Sequence, residues 1–182
     1  RGRGRYKARL VAPGFFQREL ADFQGFSPVV GFDDTIRTIL ALTALRGWDM
    51  RMLDFTQAYL KALLQEGVWL ELPNTNVVKA KKALYGLKQS ALQWFNEVQS
   101  TTLAESWTSS TYDACVYHCR IDDTFFTGDY DEEIQRMRTH LLDKYEGRDL
   151  GVPDKLLGVR ITTGGDGITL DQQLYPESIV SE

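Results

Sequence analysis

A chain of 182 residues with 43% hydrophobic and 12% aromatic side chains can bury a sizeable core, which excludes a disordered protein. No apolar run approaches the roughly 20 residues that span a bilayer, and no secretory signal opens the sequence, so an intracellular, cytoplasmic protein with no membrane partner is expected. The net charge of −4 is unevenly spread: residues 1–18 and 72–96 carry cations and no acid, whereas 122–133 carry acids and no base, a pattern suited to a polyanion and to a cation.

Residues 5–12, RYKARLVA, alternate in polarity and predict a strand closed by Pro13-Gly14. An irregular stretch with a Ser27-Pro28 turn follows. DDTIRTILALTALRG predicts a helix capped by Asp34 or Thr35, with Ile36, Ile39, Leu40 and Thr43 on one face and Gly47 at its end. WDMRMLD returns to the period of a strand ending at Asp54, and FTQAYLKALLQE predicts a second helix. VWLEL and VVKAKK predict two strands around a Pro73-Asn74 turn. LKQSALQWFNEVQSTTLAES predicts a long helix, and DACVYHC a strand running into Asp122-Asp123. DEEIQRMRTHLLDKYEG spaces Ile134, Met137, Leu141, Leu142 and Tyr145 as one helix face, with acids in the first turn. KLLGVRITT, a GGDG turn and ITL predict a hairpin. Tight hairpins argue against an all-parallel sheet, so the expected class is α+β, an antiparallel sheet with helices packed on one face.

Asp54 closes a strand and precedes a predicted helix. It is either an N-cap or, beside the free N–H groups of a helix start, part of a metal and phosphate site. The second role needs partner acids, and Asp122-Asp123 follows 122 − 54 = 68 residues later, enough chain for a hairpin and a long helix to return alongside. Three carboxylates at two neighbouring strand ends suit two metal ions, although adjacent acids in a turn are commonly just solvated. Cys115 and Cys119, about 13 Å apart if they share a strand, cannot form a disulfide. With His118 and His140 they make a poor zinc set, because His118 and Cys119 would face opposite ways on a strand.

Seven blocks carry a family resemblance: RYKARLVAPGFFQ, FSPVV, MLDFTQAYL, KKALYGLKQSALQWF, DACVY, IDDTFFTGD and YEGRDLG. In that order, from Arg5 to about Tyr175, the chain resembles reverse transcriptases of copia-type retrotransposons. The resemblance implies a fingers–palm polymerase, with residues 1–47 and 67–107 mainly fingers, 48–66 and 108–170 mainly palm, and 171–182 the start of a thumb. It implies an RNA-directed DNA polymerase that uses an RNA template, a DNA primer, deoxynucleoside triphosphates and two Mg²⁺ ions (or Mn²⁺), within a longer polyprotein. Arg1 in place of an initiating Met fits an excerpt of such a chain.

Carried over by position, Asp54, Asp122 and Asp123 would be the catalytic, metal-holding carboxylates, and Phe55 would offer a backbone carbonyl to a metal. Lys7 and Arg9 would grip the triphosphate, a task suited to a point charge and a fork. Tyr59 would lie beneath the incoming sugar. Gly86, Lys88, Gln89 and Ser90 would support the template and the nascent base pair; separately, if 115–121 is the strand that delivers the aspartates, alternation would turn Arg120 toward the nucleic acid. The chain also departs from the family pattern. Arg120 takes the place of an aromatic residue, and DACVYHC runs straight into RIDD, where the family has a further hairpin with the strand that delivers the aspartates. Pro13, Ala91 and the extra acid at Asp33-Asp34 are smaller departures, and the segment after Leu72 is short. The alternative function is therefore a decayed, non-catalytic remnant that folds and at most binds nucleic acid weakly.

Overall fold

A computed structural model describes residues 10–28, 32–72, 76–119, 131–156, 159–165 and 167–171. Helices and antiparallel strands are mixed, as an α+β chain requires. The described strands form four small sheets, three of two strands and one of three, in place of the one sheet expected. The chain divides into two compact units, residues 1–28 with 57–104 and residues 29–56 with 105–182.

In the first unit, Leu10–Ala12 form no strand, and the rest of the predicted 5–12 strand lies outside the described residues. Gly14–Phe16 make one 3-10 turn after Pro13. The helix expected over FTQAYLKALLQE is reduced to a 3-10 turn at Ala58–Lys61, entered through Gln57 in the left-handed region at φ 54°. Strand β1 of the second unit (Met52–Phe55) precedes it, and β2 (Leu63–Glu71) follows. Ala, Leu and Gln favour helix. Along β2, however, alternate residues are exposed and half-buried, and β3 (Val77–Lys82) supplies an antiparallel ladder with Leu70 opposite Val78. Ladder bonds and two-residue burial outweigh a propensity of a few tenths of a kcal/mol per residue. Helix α1 (Arg37–Arg46) is part of the second unit; in the first, α2 (Ser90–Ala104) buries Gln93, Thr101 and Thr102. The two threonine hydroxyls donate back to Glu97 O (2.8 Å) and Val98 O (2.9 Å), so both are buried with a partner. Ala62 and Ala83 are both fully buried, and Ala83 N–H donates to Ala62 O at 3.0 Å.

In the second unit, a π-helical turn at Phe32–Ile36 leads into α1. The predicted cap therefore shifts: Asp34 and Thr35 lie within the helical turn, and Thr35 Oγ1 donates instead to Asp113 Oδ2 at 2.7 Å. Gly47, at φ 64°, closes the helix in the left-handed conformation that glycine adopts without strain. Ile36, Leu40 and Thr43 are buried as predicted, but Ile39 is exposed. Ile36 and Leu40 pack with Ile161, flanked by Met50, Leu156 and Ile168, so α1 covers the sheet of β7 (Lys155–Leu156), β8 (Val159–Gly164) and β9 (Gly167–Asp171). β4 (Trp107–Ser109) pairs with β5 (Tyr117–Cys119), shorter than the predicted DACVYHC strand. Helix α3 (Asp131–Tyr145) buries Met137 and Tyr145 and leaves Ile134 exposed. It is followed at once by β6 (Gly147–Gly151), which pairs with β1. No described helix is long and apolar enough to cross a membrane.

Candidate functional site

Asp54 lies within β1, opposite Arg148 of β6, with Leu53 opposite Asp149 and Phe55 opposite Gly147. No helix starts at Asp54, so the N-cap role is not the one it has. What holds β1 in place is visible on its other face. The Phe55 ring meets the Tyr145 ring edge-on at 5.9 Å, and Tyr145 is almost fully buried. Glu146, at φ 53°, reverses the chain from α3 into β6, and its carbonyl accepts the Thr56 N–H at 2.9 Å. Gly147 allows the close approach: a Cβ there would stand 2.8 Å from Asp54 O, 2.9 Å from Phe55 Cδ1 and 3.1 Å from Leu142 Cδ2. Gly147→Ala is therefore expected to destabilise the chain by about 1–3 kcal/mol through overpacking, read as a lower urea midpoint.

Asp149 points toward α3, where Arg138 holds it in an ion pair and Gly151 N–H donates to Oδ1 at 2.7 Å. The Gly151 N–H, then the Arg138 hydrogen bond, hold its carboxyl below the usual carboxylate range. A depressed folded-state value contributes stability above the unfolded value of about 3.9, and this is lost as pH falls through the folded value. The contribution of Asp149 to stability is thus expected to fall as pH drops below about 4. Asp149→Asn should flatten the stability profile in that window, measured by denaturation at stepped pH.

Because side chains alternate along β1, Asp54 is on the face away from α3. Its carboxylate is 51% exposed, and Oδ2 accepts from Arg148 Nη2 at 2.9 Å, with Arg148 itself 73% exposed. Such a pair is solvent-screened and contributes about 1 kcal/mol or less. Mg²⁺ in enzyme sites commonly takes one or two carboxylates and keeps several waters. A half-exposed aspartate at a strand end, with one oxygen on an exchangeable partner, fits as one such ligand. Asp122, Asp123, Arg120, Lys7 and Arg9 lie outside the described residues, and so does the expected approach of the aspartate pair to Asp54.

Among the described residues no group of three His, Cys, Asp or Glu side chains is gathered for a metal, the four-residue zinc set included. His140 Nδ1 stands 3.6 Å from Glu105 Oε1. Cys115 and Cys119 are free thiols, and burial, then the Asp113 charge, pushes the Cys115 thiol up.

In the first unit, Tyr59 is half-buried with its ring 4.8 Å from that of Tyr85. Gly86, at φ 93°, and Lys88 are exposed, whereas Gln89 and Ser90 are buried and Ser90 Oγ donates to Leu84 O at 2.6 Å. The turn is locked from outside by Gln17, whose Oε1 accepts Lys88 N–H (2.9 Å) and whose Nε2 donates to Gln89 Oε1 (3.0 Å). Sequence reasoning singled out neither Gln17 nor Arg148. Each meets its partner across 71 or 94 residues, and no local pattern encodes such a pairing.

Comparison with known proteins adds the family evidence. The profile for reverse transcriptase (RNA-dependent DNA polymerase) matches residues 1–182. The chain is 32% identical, over 97% of its length, to the retrovirus-related Pol polyprotein from transposon TNT 1-94 of Nicotiana tabacum, covering 15% of that protein. It is 29% identical over 94% of its length to the Pol polyprotein from transposon RE1 of Arabidopsis thaliana, covering 13% of it. Over 53% of its length it is 31% identical to the transposon Ty1-BL Gag-Pol polyprotein of Saccharomyces cerevisiae, covering 6% of it. The chain thus spans less than a sixth of each of these relatives. No solved structure matches.

Proposed function

The chain belongs to the reverse transcriptase (RNA-dependent DNA polymerase) family, with copia-type Pol polyproteins as its relatives, and from that premise we propose that it is the fingers–palm part of an RNA-directed DNA polymerase that extends a DNA primer on an RNA template. The match over residues 1–182 carries the reading. The half-exposed Asp54 carboxylate, at the end of a strand anchored by Tyr145 and Gly147, supports it.

Asp54, Asp122 and Asp123 would hold two Mg²⁺ ions, with the Phe55 carbonyl as a further oxygen. When bound, such ions acidify the primer 3′-hydroxyl and neutralise the leaving pyrophosphate. The chain's own residues bind and orient. Lys7 and Arg9 grip the triphosphate; Tyr59 underlies the incoming sugar and disfavours a ribose 2′-hydroxyl; Gly86 and Lys88 face the template, with Gln89 and Ser90 supporting that turn from inside. Deoxynucleoside triphosphates and the remaining parts of an intracellular retrotransposon polyprotein complete the partners.

A second reading, a non-catalytic remnant, is favoured by one observation: only Cys119, Arg120 and Ile121 separate His118 from Asp122, too few for the roughly five residues of a typical strand. Incorporation of a labelled complementary deoxynucleotide on a primed RNA template separates the two. Mg²⁺-dependent addition supports the polymerase, and none supports the remnant.

A further inference from the structure

Phe15 and Phe16 sit side by side on the Gly14–Phe16 turn, with ring centroids 4.1 Å apart and each side chain 74% exposed. Burying a phenylalanine stabilises a fold by about 1.5–3 kcal/mol, which neither ring contributes here. Nor is the turn loose. A Cβ on Gly14 would stand 1.9 Å from Gly86 O, and one on Gly86 would stand 2.1 Å from Ala12 O, so two backbones touch where only glycines fit. Ala12 N–H donates to Tyr85 O at 2.8 Å, and Gln17 clamps Lys88 N–H and Gln89 as described. The rings are thus held outward on a rigid support, with the exposed Lys88 one hydrogen bond from the residue after Phe16. Residues 72–96, of which this turn is part, have no acid, and Lys79, Lys81 and Lys82 are exposed as well. Of the two acids that follow the rings, Glu19 is exposed, and Asp22 Oδ2 accepts the Arg18 backbone N–H at 2.8 Å.

Rigid exposed aromatics near a lysine of an acid-free stretch supply the two elements that hold single-stranded nucleic acid: faces for bases and charge for phosphate. We propose that Phe15 and Phe16 form a stacking ledge for unpaired bases, with Lys88 taking backbone phosphate and Gln17 as the positioning residue that joins them. This rests on the polymerase reading, in which the strand is the unpaired template. An apolar protein partner would gain nothing from the Lys88 charge.

The test is fluorescence anisotropy of the 182-residue chain with labelled single-stranded RNA and with a blunt duplex of the same sequence. Phe15→Ala and Phe16→Ala should each weaken single-strand binding about tenfold, leave duplex binding within about twofold, and keep the salt slope. Lys88→Gln should flatten that slope by about 0.7, the share of one phosphate contact. Phe15→Trp retains a stacking face and should bind as the parent does, which separates lost stacking from lost folding. Equal single-strand affinity for the parent and both alanine variants would overturn the ledge. So would a chain that self-associates through these rings, seen as a dimer in sedimentation that Phe16→Ala dissolves with RNA binding unchanged. A parent that binds single strands through the rings yet adds no nucleotide would leave the ledge standing and remove the polymerase reading.

Discussion

Asp54→Asn is expected to lower Mg²⁺-dependent nucleotide incorporation by about 10³-fold or more while leaving the fold intact. The size follows from what the carboxylate supports. Metal stabilisation of the developing charge is worth several kcal/mol, and each 1.36 kcal/mol is tenfold in rate. Asparagine keeps the volume and an oxygen for Arg148 but removes the charge that would hold a divalent ion in the proposed site. The stability cost is small because the Asp54–Arg148 pair is exposed at both ends, 51% and 73%, and contributes about 1 kcal/mol or less. Unfolding in urea should move by less than that, while Mn²⁺ binding by calorimetry weakens sharply. A variant that still incorporates nucleotide within tenfold of the parent would exclude Asp54 from the metal site.

The second large effect concerns the residues before Asp122. Inserting a hairpin between His118 and Ile121, with an aromatic residue in place of Arg120, is expected to raise both polymerisation and stability. β5 pairs with β4 in the register Tyr117 to Ser109 and Cys119 to Trp107, with His118 exposed and both neighbours half-buried. With Tyr117–Cys119 paired there, only Arg120 and Ile121 remain before Asp122, too few for a second strand of typical length. An added hairpin would supply that strand's hydrogen bonds and a packing surface that the Arg120 cation cannot. Rates of the parent and the insertion variant on one primed template decide the matter. A parent that already turns over at about 1 s⁻¹ or more, in the ordinary range for enzymes, would show that nothing is missing.

Much of this was written locally in the chain, and some was not. Helices α1 and α3 announce themselves by apolar residues at helical spacing, and α1 by Gly47 at its end; α2 lies within its predicted segment. Asp54 was legible as a strand carboxylate because WDMRMLD alternates, although β1 begins only at Met52 and runs on to Phe55. The segment after it misled, because Ala, Leu, Gln and Glu are good helix formers and only the ladder with β3, a separate segment beyond the expected turn, makes β2 a strand. β6 went unread for the opposite reason: its sequence GRDLG has a glycine at each end and two charges, the composition of a loop. It is a strand because Gly147 lets it lie against Asp54 and Phe55, and Arg138 and Gly151 N–H satisfy Asp149. The companions of the candidate site, Arg148 and Gln17, are non-local for the same reason. Register and docking bring them in, and neither has a local period.

The most direct measurement is extension of a DNA primer annealed to RNA by the unmodified chain, with one labelled deoxynucleotide at a time and with Mg²⁺ present or removed by chelation. The expected result is slow addition, below about 1 s⁻¹, of the complementary nucleotide alone, lost on chelation and restored by added Mg²⁺. No addition by either the unmodified chain or the hairpin-restored variant, with both folded, would contradict the assignment of polymerase activity to this chain.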